Sequence, residues 1–191
     1  QLFGVSYALA VSSGREAIKL ALLGLGARKG ERVVLPNFCC LSVLQPVLEL
    51  GLRPVFAEAG PDWQIDPHSV ERVMQSGDRA LIVPHLFGRL ADMETLKDIA
   101  SHYGVPVIDD AAQAIGLKGP WGWAGSGGDA GIFSFGLFKP LSASGGGMVV
   151  TDDPGLFESM KSMVHASPHK GGQRVSFFKT YLKMCWRKYT Y

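Results

Sequence analysis

The feature that most limits what this chain can fold into is an alternation. Short, nearly continuous apolar runs, such as Arg32-Val33-Val34-Leu35, Ala80-Leu81-Ile82-Val83-Pro84 and Val105-Pro106-Val107-Ile108, alternate with longer stretches whose apolar residues fall at helical spacing. A strand that is apolar on both faces must be covered on both, and repeated strand–helix units do this by wrapping helices over a mostly parallel sheet. The expected fold class is therefore α/β, with a mostly parallel sheet covered by helices on both faces. Further strands are expected at Tyr7 to Val11, Arg53 to Ala57, Ile132 to Phe135 and Met148 to Thr151. The first helix should start at a Ser13 cap, run to about Leu25 and be closed by Gly26 and Gly30. Others are expected from Leu41 to Leu50 around Pro46, from Asp66-Pro67, from Asp92 to about Tyr103 and from Pro154 to Val164.

Composition narrows the class. At 191 residues, 47% hydrophobic and 19% charged, the chain is long and apolar enough for one domain with a sizeable core. A net charge of +2 is too small to argue for nucleic acid. No apolar run reaches bilayer length, and no signal-peptide pattern opens the chain. Cys39, Cys40 and Cys185 are odd in number and irregular in spacing, which suits a reducing, cytoplasmic setting rather than disulfides or zinc. Gln1 is not an initiator methionine and Tyr191 falls inside a helical pattern, so a piece of a longer protein is expected.

In parallel sheets ligands gather beyond the carboxyl ends of the strands. Ser13, Pro36, His85 and Asp110 all follow strands and can converge on one crevice. Asp109-Asp110 admits two compatible readings: a helix cap before Ala111-Ala112-Gln113, or a carboxylate aimed at a ligand. Lys139 follows Phe133-Ser134-Phe135-Gly136-Leu137-Phe138, either as a lysine snorkelling at a sheet edge or as an amine whose apolar setting lowers its pKa for a Schiff base. Ser13-Gly14-Arg15 is either a plain cap or a helix start whose bare N–H groups hold an anion. Amine, carboxylate and anion site together are what pyridoxal phosphate requires. Gly145-Gly146-Gly147 lacks the spacing of a dinucleotide or P-loop motif and reads as a bend passing close to the lysine.

With these motifs in order, the chain resembles the DegT/DnrJ/EryC1/StrS sugar aminotransferases, of aspartate aminotransferase-like fold. The resemblance rests on Ser12-Ser13-Gly14, Leu35-Pro36, Pro54-Val55-Phe56, His85-Leu86-Phe87-Gly88 with Asp92, Ile108 through Gly116, Gly125-Ser126-Gly127-Gly128-Asp129, Phe133-Ser134-Phe135 with Lys139, and Gly145-Gly146-Gly147 with Thr151. It implies that residues 1–165 form a cofactor-binding large domain and that 166–191 begin the connection to a small C-terminal domain not included in the chain. It implies that Lys139 is catalytic and bonds the cofactor, that Asp110 pairs with the pyridine nitrogen and that Gln113 lies near the phenolic oxygen. Ser134 with the Ser13, Gly14 and Arg15 segment would hold the phosphate, and Cys40 would lie against the ring. Three positions depart from the family pattern: Arg15 for threonine, Cys40 for a stacking aromatic, and Asp109 for glutamate.

The implied reaction aminates a keto group on a nucleotide-linked sugar with glutamate as donor, in a homodimer, for polysaccharide or secondary-metabolite synthesis. Dehydration on the same scaffold is the alternative, disfavoured because dehydrating relatives carry histidine at the Lys139 position. A noncatalytic remnant of the fold is a second alternative. In the tail, Phe177, Tyr181 and Cys185 recur at helical spacing beside Lys179, Lys183 and Arg187. That pattern reads as a helix packing on its own protein or, less readily, touching anionic lipid.

Overall fold

The computed structural model describes residues 3–166, so the amphipathic stretch at 175–191 lies outside the described residues. The strands of the main sheet are β1 (Tyr7–Val11), β2 (Arg32–Pro36), β3 (Arg53–Ala57), β4 (Ala80–Pro84) and β5 (Val107–Asp110), then β8 (Ala130–Ser134) and β9 (Gly147–Thr151). A two-stranded hairpin of β6 (Lys118–Gly119) and β7 (Gly122–Trp123), not foreseen from sequence, stands apart. The seven strands lie in the order β1-β9-β8-β5-β4-β2-β3. The run from β3 to β8 is parallel, and β9 pairs antiparallel with both β8 and β1. The mostly parallel sheet expected from the apolar runs is therefore present, with one reversed strand.

Alternation along each strand sorts the core into two layers. Val33, Leu35, Ile82, Ile108 and Ile132 face α1 (Gly14–Gly24), α2 (Leu41–Glu49) and α5 (Pro154–Ala166). Val34, Leu81, Val83 and Val107 face α3 (Pro67–Val73) and α4 (Met93–Tyr103). The same alternation turns Asp110, two residues beyond Ile108, towards the first layer and Asp109 towards the second.

Local chemistry sets the ends. Ser13 Oγ accepts from Glu16 N–H at 3.2 Å to start α1, and Asp92 Oδ1 accepts from Thr95 N–H at 3.2 Å to start α4. Gly104, at φ 66°, closes α4 in the left-handed conformation that glycine enters without strain. The α1–α5 contact is close: a Cβ on Gly24 would meet Met160 at 2.6 Å and Leu156 at 2.8 Å.

Two expectations are corrected here. Strand β5 starts at Val107 rather than Val105, because Val105 N–H is taken by Ala100 O as α4 closes. No helix follows Asp109-Asp110: the chain makes a turn, Asp110 Oδ1 accepts from Ala112 N–H at 2.9 Å, and Asp109 caps nothing there.

Candidate active site

The carboxyl ends of β1, β2, β4, β5 and β8 share one edge of the sheet, and α1 begins at that edge. A cavity of about 110 Å³ opens there. Its wall contains Ser13, Gly14, Arg15, Cys40, Asp110, Gln113, Ser134 and Lys139. All eight candidate residues are thus brought together from segments as far apart in sequence as Ser13 and Lys139. Pro36 is not in this wall; Pro84 and His85, at the end of β4, are.

The floor is Asp110. Burial pushes its carboxyl up to about 6, against the opposing pull of Ala112 N–H and the Lys139 ammonium. A buried carboxylate of this kind needs a cationic or hydrogen-bonding partner from within the cavity.

One wall is the start of α1. The N–H groups of Gly14 and Arg15, in its first turn, have no acceptor within the helix and carry the positive end of its dipole. The wall is built by close approach. A Cβ on Gly14 would lie 2.8 Å from Ser134 Cβ, and one on Gly147 would lie 2.4 Å from the backbone carbon of Ser13. The glycine run therefore backs onto the α1 start, with Gly146 bridged to Ser13. Ser134 joins the wall because Gly14 has no side chain to exclude it.

Contacts around the cavity place its side chains, and one expectation, the aromatic setting of Lys139, changes. Arg15 Nη1 donates to Gln45 Oε1 at 2.8 Å, so its guanidinium reaches across to α2. The aromatic residues beside Lys139 in sequence do not surround it. Phe133 is buried in a cluster with Ala111, Ala114 and Ala124, and Phe138 is 94% exposed. The apolar part of the lysine's cavity comes instead from Ile18, Val43, Leu86 and Ile132. Cys40 is the uncapped N-cap of α2, and the Ser42 hydroxyl beside it draws its thiol below the ordinary range, with burial opposing. At its neighbour Cys39, burial pushes the thiol up to about 11.

Behind the floor lies a pair that sequence reasoning missed. Asp109 Oδ2 accepts from Gly125 and Gly127 N–H, both at 2.9 Å, fixing the loop before β8. Its Oδ1 lies 2.9 Å from His85 Nε2, with both side chains fully buried. That contact is short but poorly aligned, so neither atom makes a hydrogen bond of good geometry. The short distance makes it an electrostatic contact, and neither atom has a hydrogen-bond partner among the described residues. His85 Nδ1 accepts from Ala91 N–H at 3.0 Å, which leaves the ring proton of a neutral imidazole on Nε2, facing Asp109. Asp109 was in plain view in the sequence, but nothing local paired it with His85.

The residues present fit pyridoxal phosphate. A buried acid, a helix start with unpaired N–H groups, a serine and an amine all line the same cavity.

Comparison with known proteins agrees. The family model for DegT/DnrJ/EryC1/StrS aminotransferases matches residues 1–182. The putative pyridoxal phosphate-dependent aminotransferase EpsN of Bacillus subtilis (strain 168) is 36% identical over 165 residues, covering 83% of this chain and 42% of EpsN. The crystal structure of S. venezuelae DesV superposes with a TM-score of 0.80 at 36% identity, covering 87% of this chain and 46% of DesV. That of DesI, solved in the presence of its TDP-sugar product, gives 0.80 at 31% identity, covering 90% of this chain and 43% of DesI. The chain therefore spans less than half the length of these relatives, and its sheet and helices match those of fold type I aminotransferases. It belongs to the DegT/DnrJ/EryC1/StrS aminotransferase family, whose cofactor is pyridoxal phosphate.

Proposed function

We propose that the chain is the cofactor-binding large domain, residues 1–165, of a pyridoxal phosphate-dependent aminotransferase. Residues 166–191 would begin the connection to a small domain. The enzyme would convert a keto group on a nucleotide-linked sugar to an amine, with glutamate as donor, as a cytoplasmic homodimer. The observation that carries this reading is the sharing of one small cavity by Asp110, Lys139 and the α1 start.

The bound cofactor supplies an electron sink for the pair released when a substrate C–H bond breaks. Asp110 holds a proton on the ring nitrogen by its negative charge, and this ion pair answers the cost of burying the carboxylate. The N–H groups of Gly14 and Arg15 and the Ser134 hydroxyl bind the phosphate. Gln113, whose Oε1 accepts Phe87 N–H at 3.2 Å, keeps its amide N–H groups to offer the cavity. Cys40, in the cavity wall, would lie against the cofactor ring. The Lys139 amine would anchor the cofactor and would serve as the general base that holds the transferred proton.

Lysine at position 139 supports transamination over dehydration. The test uses the full-length protein with pyridoxal phosphate. It should absorb in the visible, borohydride should fix the cofactor covalently on Lys139, and glutamate should bleach the band. Absence of the band, or an unchanged band in Lys139→Ala, would remove the enzyme reading. A band that no amino donor bleaches would favour elimination chemistry.

A further inference from the structure

Gln64, in the loop after β3, is a polar side chain only 2% exposed. Its amide grips Leu86, just past β4, by both backbone groups. Oε1 accepts from Leu86 N–H at 3.0 Å and Nε2 donates to Leu86 O at 3.2 Å. Gln64 is held in turn by a closed loop of its own. Trp63 N–H donates to Gly60 O at 3.0 Å, Gly60 N–H to Gln64 O at 2.8 Å, and Gln64 N–H to Asp62 Oδ1 at 3.1 Å. Satisfying the buried backbone of Leu86 would by itself be a packing role.

The next link leads into the cavity. Phe87 follows Leu86 at φ 57°, in the left-handed region that a bulky residue rarely enters. From there its N–H donates to Gln113 Oε1 at 3.2 Å. Gln113 sits in the turn after β5, and its side chain makes no other hydrogen bond among the described residues. An N–H partner can be met only by the amide oxygen, so Phe87 decides which way the amide faces. The two N–H groups of Nε2 are left for the cavity that Gln113 and Leu86 both line. The direction in which Gln113 donates is thus set from Gln64, which is not itself in the cavity wall.

We propose that Gln64 is a positioning residue: by clamping Leu86 it fixes Phe87 N–H, which aims the donors of Gln113 at the phenolic oxygen of the bound cofactor. This deepens the reading above and rests on it, since the resemblance places Gln113 beside that oxygen. A donor there stabilises the negative form of the oxygen. Without it, the proton that the oxygen shares with the Lys139 nitrogen is held more tightly, and the visible band survives to higher pH.

The experiment follows the visible band against pH in the full-length, cofactor-loaded protein. The variants are Gln113→Ala, Gln64→Met, Gln64→Asn and the Gln64→Met/Gln113→Ala double variant. Methionine keeps the volume of Gln64 without its hydrogen bonds, and asparagine keeps the amide but falls one methylene short of Leu86. The other titratable side chains of the cavity wall, Arg15, Cys40, His85, Asp110 and Lys139, are untouched. Gln113→Ala should move the midpoint up by about one pH unit. Both Gln64 variants should move it the same way, and the double variant no further than Gln113→Ala alone, because the two residues act through one contact. Gln64 variants with the wild-type midpoint, or shifts that add in the double variant, overturn the proposal. So does failure of both Gln64 variants to fold, or loss of the band in them while Gln113→Ala keeps it, since Gln64 then does more than aim one amide. A wild type with the band whose Gln113→Ala variant keeps its midpoint removes Gln113 from the phenolic oxygen, and the proposal with it. A wild type without the band would instead strike the cofactor reading itself.

Discussion

Asp109 and His85 face each other across the β4–β5 pairing, with Oδ1 and Nε2 2.9 Å apart and no solvent on either side chain. The strand register puts Val83 opposite Asp109 and Pro84 opposite Asp110, so His85 comes next. One acid of the doublet thus lines the cavity, while the other secures the loop before β8 behind it.

Replacing Asp109 by Asn tests this division. The amide oxygen can still accept from Gly125 and Gly127, but the amide nitrogen then meets the Nε2 proton of His85, donor against donor. Leaving buried donors unsatisfied in this way costs about 1–3 kcal/mol. Urea unfolding of Asp109→Asn should show a loss of that order, and cofactor uptake should weaken as the floor loosens. A variant as stable as wild type would mean that the pairing contributes nothing.

Asp110 should leave a pH signature in the protein freed of cofactor. Its folded pKa, about 6, lies above the ordinary carboxyl value of 3.8. Between those values the folded state binds more protons than the unfolded chain, so stability falls as pH rises. The stability is fully present below about pH 4 and lost as pH passes about 6, by up to roughly 3 kcal/mol. Asp110→Asn removes the titration. The stability of this variant relative to wild type, measured by urea unfolding, should therefore grow across that window. Bound cofactor should shrink the difference, because a protonated ring nitrogen restores the charge partner.

Much of this arrangement was legible in the sequence. Strands β2, β4 and β5 could be read because burial on both faces writes an uninterrupted apolar run. Ser13, Asp110 and Lys139 could be found because parallel topology delivers strand ends to one edge. The rest depends on relations that no local pattern records. The partner of Asp109 is set by register between strands joined through α4. The left-handed backbone at Trp63 and Phe87 falls on residues that are not glycine, and contacts between distant segments, Gln64 with Leu86 and Gln113 with Phe87, hold the two loops. The direction of Arg15 was settled by Gln45 on another helix.

The α1–β8 approach supplies a third test. In most helices Gly→Ala is favourable by up to about 1 kcal/mol. At Gly14 the new methyl would lie 2.8 Å from Ser134 Cβ and 3.1 Å from its hydroxyl oxygen. Ser134 must yield, and the phosphate wall with it. Gly14→Ala should weaken pyridoxal phosphate binding about tenfold or more, measured by fluorescence titration, with a smaller effect on stability. Unchanged affinity would show that this wall does not carry the phosphate.

Arg15 provides the converse case, a substitution expected to improve the site. Its guanidinium is engaged with Gln45, which donates to Glu49, itself paired with Lys19 at 3.3 Å. These are exposed contacts between α1 and α2, and removing one costs no more than about 0.5 kcal/mol. Threonine at this position keeps the backbone N–H that faces the anion and adds a hydroxyl in the first turn of the helix. Arg15→Thr should therefore bind pyridoxal phosphate several-fold more tightly at nearly unchanged stability. If affinity instead drops, the guanidinium must leave Gln45 to reach the phosphate when the cofactor enters, and the backbone alone does not hold it.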